Sequence, residues 1–401
     1  MKAIRLISLA ALLAAGLTAC GGDSGDRDGL QVMIGSSGEA ETAAVTAAAK
    51  RFTDKTGTKV EIIPAQNLVQ QLTQGFAGGE PPDVFYLSPA ETRQFSRSLH
   101  PYGKEVDHLD DFVPELLEPY KVDGEQYCVP KDGNTMALVV NTTVWQAAGL
   151  TEADYPKTWA DLTAVSKKLT TGGQVGLAFD GKNSAVSTFL VQGGGWYLND
   201  DMTKATADSP ENTAALAYLQ ENLVGGNFAY LSKIEAKSAA EALGTGKAAM
   251  IIDGGWTAGT LSVDFPDTQW QSVELPAGPG GAGTMGFSNC WGVAAKSVDT
   301  AAAVELVEHF TSAEEQQMFA MAFGVNPSRR SLQEWNAKER PEAAPFTAYD
   351  SSRAPVPLPS FTSVLTDFDA QLEKLATGAA TPADILSQLQ SNEEAALKEE
   401  R

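Results

Sequence analysis

Residues 122–162 read VDGEQYCVPKDGNTMALVVNTTVWQAAGLTEADYPKTWADL. Asp123-Gly124 is a tight-turn signal, and Tyr127-Cys128-Val129 is a short β-prone run stopped by Pro130. The polar segment Lys131-Asp132-Gly133-Asn134 follows, with a Gly and an Asn that tolerate unusual backbone angles. Met136-Ala137-Leu138-Val139-Val140 is then an unbroken apolar run, the pattern of a strand buried on both faces. Asn141-Thr142 caps a short helix ending at Gly149, and Thr158 with Asp161 forms a capping box that opens another helix behind Pro156. A strand leaving one core, a polar crossover and a strand entering a second core is how two lobes are joined by a hinge.

In this order the pieces resemble the extracellular solute-binding proteins (family 1) of ABC importers, in their maltose-binding-like, sugar-binding branch. Asp123-Gly124, Tyr127, Pro130, Asn141, Ala148-Gly149-Leu150, Pro156-Lys157-Thr158-Trp159 and Asp161-Leu162 carry the resemblance. Val140 stands where the family has a tyrosine. Upstream, Phe52, Thr56-Gly57, Val60 and Pro82-Asp83-Val84 fit the same family. Downstream, Gly246, Ala248, Ala249, Met250, Gly254 and Trp256 fit it, as do Gly324, Pro327 and Arg329. The resemblance implies a two-lobed periplasmic-binding-protein fold, class II-like. Each lobe is expected to be a doubly wound, mostly parallel α/β sheet, joined to the other by crossover hinge segments. The residues agree: strand, helix, strand, helix, strand alternate from Leu30 to Tyr86, which places ligand sites at the carboxyl ends of the strands.

At 401 residues the chain exceeds one comfortable core. The reading assigns 30–131 and 273–323 to the first lobe and 132–272 and 324–401 to the second. Crossovers are expected at 131–134, near 269–275 and at 324–328. Lys plus Arg (29) minus Asp plus Glu (51) leaves −22, which repels phosphates and excludes a nucleic-acid partner. Lys2 and Arg5 precede an apolar stretch over 6–17 that is too short to span a bilayer. Leu17-Thr18-Ala19-Cys20 looks like a bacterial lipobox, so 1–20 reads as a lipoprotein signal with Cys20 as the lipidated residue. An ordinary signal peptide with an accidental Cys20 is the alternative. A Gly/Ser/Asp tether covers 21–29. The mature chain is therefore expected outside the cytoplasm, anchored by lipid to the cell membrane. Cys128 and Cys290 remain, in a compartment that favours a disulfide between them, with two buried free thiols as the other reading.

Catalytic readings find little support. His100, His108 and His309 lack metal-ligand spacing, and no nucleophile elbow, Walker loop or Rossmann fingerprint stands behind a suitable strand. No enzyme activity, metal or cofactor is expected. A sugar site needs flat aromatic faces for the ring and amides, carboxylates or Arg for the hydroxyls. Trp256, past a buried strand on a Gly-Gly turn, is the leading stacking candidate, followed by Trp196 and Tyr197. Trp145, Trp159 and Trp335 read as core. The polar and aromatic candidates are Ser37, Glu39, Gln66, Asn67, Tyr86, Ser88, Asp132, Asn134, Phe287, Ser288, Asn289 and Arg329. The function expected is capture of a mono- or oligosaccharide between two closing lobes and its delivery to ABC permease subunits, by a monomer. The alternatives are a non-sugar solute (polyamine, iron or glycerol-phosphate) and a lipoprotein glycan hydrolase.

Overall fold

The structure, a computed structural model, describes residues 28–36 and 38–400. The signal segment with Cys20, the tether over 21–27 and Ser37 lie outside the described residues. In chain order the strands are β1 (Leu30–Ile34), β2 (Val60–Pro64), β3 (Val84–Leu87), β4 (Lys121–Val122), β5 (Glu125–Gln126) and β6 (Val129–Pro130). They continue as β7 (Asn134–Asn141), β8 (Val175–Phe179), β9 (Phe228–Tyr230), β10 (Ala248–Gly254), β11 (Trp270–Val273) and β12 (Thr284–Phe287). The last two are β13 (Cys290–Val293) and β14 (Ser352–Arg353).

The first lobe is built on a five-stranded sheet in the order β2-β1-β3-β13-β6. Its first three strands are parallel, and β13 returns antiparallel to β3 and β6. The helix Glu39–Thr56 covers the sheet with Val45, Ala48, Ala49 and Phe52, a stripe at helical spacing, and Gly57 ends it at φ 82. Asp123 and Gly124 both take positive φ (52 and 82), the geometry of a type I′ hairpin turn between β4 and β5.

The second lobe carries a seven-stranded sheet in the order β14-β12-β7-β10-β8-β9, with β11 also paired to β7. β10, β8 and β9 are mutually parallel, whereas β7 runs antiparallel to β10, β11 and β12. The mixed character follows from the crossover, since β7 enters this sheet from the other lobe. Seven of the eight residues of β7 are buried. Asn141 accepts a hydrogen bond from Val144 N, and Thr158 from Asp161 N, so both expected caps are made. Trp159 lies in this core, stacked on Tyr218 at 4.4 Å, with its indole N–H donating to Gln192. The helices Phe361–Thr377 and Pro382–Glu399 complete the core against Pro210–Val224.

Three chain segments pass between the lobes side by side. Lys131 N donates to Asn289 O, Gly133 N donates to Asn326 O, and the Ser328 hydroxyl donates to Pro130 O. The return to the first lobe lies later than position 273. Both β11 and β12 pair with β7, so the chain crosses back at Ser288-Asn289, directly into β13. Cys128 and Cys290 form a disulfide with Cα atoms 5.7 Å apart, tying two of the crossing strands together on the first-lobe side.

Candidate functional site

A cavity of about 360 Å³ lies where the crossovers meet the two lobes. The first lobe contributes Glu41, Ser88, Glu115, Leu116 and Tyr120, and the crossovers contribute Lys131, Asp132, Ser288 and Asn289. The second lobe contributes Asn134, Trp256, Phe287 and a segment from Ser352 to Val356. The site therefore sits at strand ends, as an α/β sheet places it.

Trp256 begins the helix Trp256–Asp264 directly after β10 and keeps 45% of its surface exposed. Its ring meets Phe287 edge-on at 5.7 Å. A Cβ on Gly254 would lie 2.3 Å from that ring, and a Cβ on Gly255 would lie 2.3 Å from Asn134 Oδ1. The Gly-Gly pair is thus required for close approach: it lets the indole fold over the strand end above Asn134. Asn134 Oδ1 also accepts from Asn326 Nδ2 at 3.1 Å, which fixes the amide. The Tyr120 hydroxyl donates to Ser288 O and the Ser288 hydroxyl donates to Asp132 O, each at 2.7 Å, so this wall is preorganised.

The base of the cavity is a buried ionic cluster. Lys131 Nζ donates to Glu41 at 3.1 Å and to Asp132, and lies 4.8 Å from the centre of the Tyr86 ring. The Tyr86 hydroxyl donates to Glu41 at 3.0 Å. Burial pulls the Lys131 pKa down, but the charges and hydrogen bonds of Asp132 and Glu41 outweigh it and leave the ammonium stabilised. Burial raises the Asp132 carboxyl, with Lys131 opposing. The cavity's one ammonium is thus occupied by two carboxylates. The rest of the lining is apolar and aromatic surface with carboxylates and amides around it.

Seven expected residues converge on this cavity: Ser88, Asp132, Asn134, Trp256, Phe287, Ser288 and Asn289. Others do not. Tyr86 is a core residue one layer below, against Trp291 at 4.7 Å. Tyr197 is buried in the second core with its hydroxyl bonded to Ser187, because the chain turns its ring inward beside Trp196. Arg329 is buried in the first lobe, bonded to Thr311 O and Asp111 and lying over Phe112, so it serves the fold and not the cleft. Glu39 is exposed in the first turn of its helix. Gln66 and Asn67 are exposed outside the cavity, and Asn67 caps the helix Leu68–Gly78. Trp196 is half-buried beyond the cavity, under Arg353.

The sequence reading missed Glu41, Lys131, Tyr120 and the segment 352–356. A signal existed for Glu41: it lies four residues before Val45, on the same buried stripe, where a carboxylate is out of place without a partner. Lys131 lies in the polar crossover beside Asp132, and nothing local distinguishes it from the other polar residues there: its ion pair with Glu41 spans 90 residues.

Two lobes, three crossovers and a polar–aromatic cleft between them define a solute-binding protein of ABC transporters. Residues 47–345 match the profile of the bacterial extracellular solute-binding proteins, and the chain belongs to that family. It is 27% identical to the diacetylchitobiose binding protein DasA of Streptomyces coelicolor over 364 residues, covering 83% of each chain. It is 26% identical to the galactooligosaccharide-binding protein of Bacillus subtilis, over 84% of this chain and 82% of that one. The GacH receptor of Streptomyces glaucescens, solved unliganded and with acarbose, superposes with a TM-score of 0.79 at 20% identity, covering 93% of this chain and 99% of the other. UgpB of Mycobacterium tuberculosis, solved with glycerophosphocholine, gives 0.81 at 19% identity, covering 94% and 100%. Among the described residues no helix is long and apolar enough to cross a membrane.

Proposed function

We propose that the chain captures a carbohydrate in the cleft, closes by hinge motion at 131–133, 288–289 and 324–328, and presents the ligand to ABC permease subunits without chemically altering it. The observation that carries this reading is the pairing of an exposed Trp256 face with Glu41, Asp132, Asn134 and Asn289 around one cavity. Aromatic faces take the C–H side of a sugar ring, and carboxylates and amides take its hydroxyls. The relatives whose names specify sugars support the same ligand class. Anchoring through an acylated Cys20 completes the proposal. Calorimetric titration of the full-length protein with neutral oligosaccharides tests the ligand class, and mass spectrometry of the membrane fraction tests the acyl chains. No heat from any sugar rejects the first, and an unprocessed N-terminus rejects the second.

One observation favours a second reading. Glu41, Glu115 and Asp132 outnumber Lys131 in the cavity, a balance that suits a cationic solute such as a polyamine. Such binding weakens steeply with salt, whereas binding of a neutral sugar does not.

A further inference from the structure

Behind the cavity a chain of buried polar side chains runs from Asn134 out to the helix Gln333–Glu339. Asn326 Nδ2 donates to Asn134 Oδ1 at 3.1 Å, Asn336 Nδ2 donates to Asn326 Oδ1 at 3.1 Å, and Arg340 Nη1 donates to Asn336 Oδ1 at 3.2 Å. All four residues are buried. Asn326 lies in the third crossover, Asn336 in the helix, and Arg340 is the residue that ends the helix. Of the four, only Asn134 lines the cavity.

This chain has a direction, and its outer end sets it. A guanidinium has donors and no acceptor, so Asn336 must turn its oxygen to Arg340 and its nitrogen to Asn326. Asn326 then accepts with Oδ1 and donates with Nδ2. The Phe346 carbonyl requires the same sense, because it accepts from that nitrogen at 3.4 Å. Arg340 is itself held in place, with Nη1 donating to Val325 O at 2.7 Å and Nη2 to Gly324 O at 2.8 Å. Asn134 therefore spends its oxygen on Asn326. Its nitrogen has no partner among the described residues, although only 7% of the Asn134 surface is exposed. A buried amide donor left open at a cavity wall costs free energy until something accepts from it.

We propose that Asn326, Asn336 and Arg340 are positioning residues that lock Asn134 as a hydrogen-bond donor in the cleft, so that the bound solute must present an acceptor there. The proposal rests on the carbohydrate reading above and specifies how that ligand is recognised. A sugar hydroxyl has one hydrogen, and a hydroxyl that gives it to the carboxylate of Glu115 or Asp132 must accept elsewhere; Asn134 supplies the donor. An ammonium has donors only and gains nothing from Asn134, so the same lock disfavours a cationic solute.

The test inverts the chain from outside the cavity. In Asn336→Asp the new carboxylate still accepts from Arg340 but cannot donate to Asn326. Asn326 should turn over to donate to it, since a charge-assisted bond outweighs the long one to Phe346 O. Asn134 should follow, presenting its oxygen to the cleft. NMR of full-length protein with labelled asparagine side-chain amides reads this without a ligand, and Asn134→Asp assigns the Asn134 signal. In the unaltered protein the Asn134 amide should exchange with solvent at least about tenfold faster than those of Asn326 and Asn336. In Asn336→Asp it should slow to the rate of Asn326. In calorimetry with linear gluco-, galacto- and chito-oligosaccharides, Asn336→Asp should weaken whichever sugar binds by about tenfold, with the melting temperature kept. Slow exchange of Asn134 in the unaltered protein, a result that needs no variant to fold, overturns the lock, as does unchanged exchange in Asn336→Asp. Altered exchange with unchanged sugar affinity overturns the donor contact to the ligand. No heat from any sugar rejects the carbohydrate reading, and the exchange rates then decide the lock by themselves.

Discussion

Replacing Trp256 by Ala separates a ligand-stacking residue from a core residue, because its surroundings set the two costs apart. With 45% of its surface exposed, the indole has that fraction left for a ligand to cover. A buried Trp removes about 150–250 Å² from water, so the exposed part is worth about 70–110 Å². At about 25 cal/mol per Å² that is about 2–3 kcal/mol if fully covered. A ligand that stacks on one face realises the lower end, about 2 kcal/mol, or roughly 30-fold in Kd. Trp159 is the control: 8% exposed, stacked on Tyr218 and hydrogen-bonded to Gln192. Trp159→Ala should cost about 3–5 kcal/mol of folding free energy. Titration calorimetry reads the first cost, and urea unfolding of both variants reads the second. Trp256→Ala with unchanged sugar affinity, or with a stability loss as large as that of Trp159→Ala, would mean that the indole serves the fold and not the ligand.

Lys131→Met should destabilise the protein by about 3–5 kcal/mol, since it leaves Glu41 and Asp132 buried without their shared cation. Adding Asp132→Asn should recover part of that loss, and urea unfolding of both variants measures it. Breaking the Cys128–Cys290 bond, whose residues are 162 apart in sequence, should cost up to about 5 kcal/mol through the freed unfolded chain. Equal unfolding free energies with and without reductant would contradict this. Burial pushes the Glu393 carboxyl up to about 9, from 4.5, so the native state keeps a proton that the unfolded chain has lost between those values. Its contribution is fully present below the lower value and is lost as pH rises through the upper. Glu393→Gln should therefore raise the melting temperature at pH 8 and change it little at pH 4, as a pair of melting curves will show.

The elements that sequence made legible are those with strong local signals. The unbroken run before Asn141, the caps at Asn141 and Thr158, and the Gly-Gly-Trp after a buried strand all announce their places in the fold through local pattern. The second crossover was harder. Thr284–Phe287 is only four residues long, behind a Pro/Gly loop, and its place in the second sheet depends on pairing with β7, more than 140 residues earlier in the chain. Site residues divided the same way. Trp256 was visible because its turn is local. Glu41 and Lys131 were not, because their meaning lies in a contact between residues 90 apart. Arg329 misled because a conspicuous charge after a crossover can as well turn back into its own lobe, toward Asp111 and Thr311. Trp196 and Tyr197 are adjacent, yet only the structure distinguishes the ring left half-buried under Arg353 from the one that fills the core.

The most direct measurement is a calorimetric titration of full-length protein, at low and at high salt, with neutral oligosaccharides, spermidine and glycerophosphocholine in parallel. The expected result is saturable binding of at least one oligosaccharide, nearly independent of salt and accompanied by a change in tryptophan fluorescence as Trp256 is covered. Salt-sensitive binding of spermidine, or binding of glycerophosphocholine, with no heat from any sugar would contradict it.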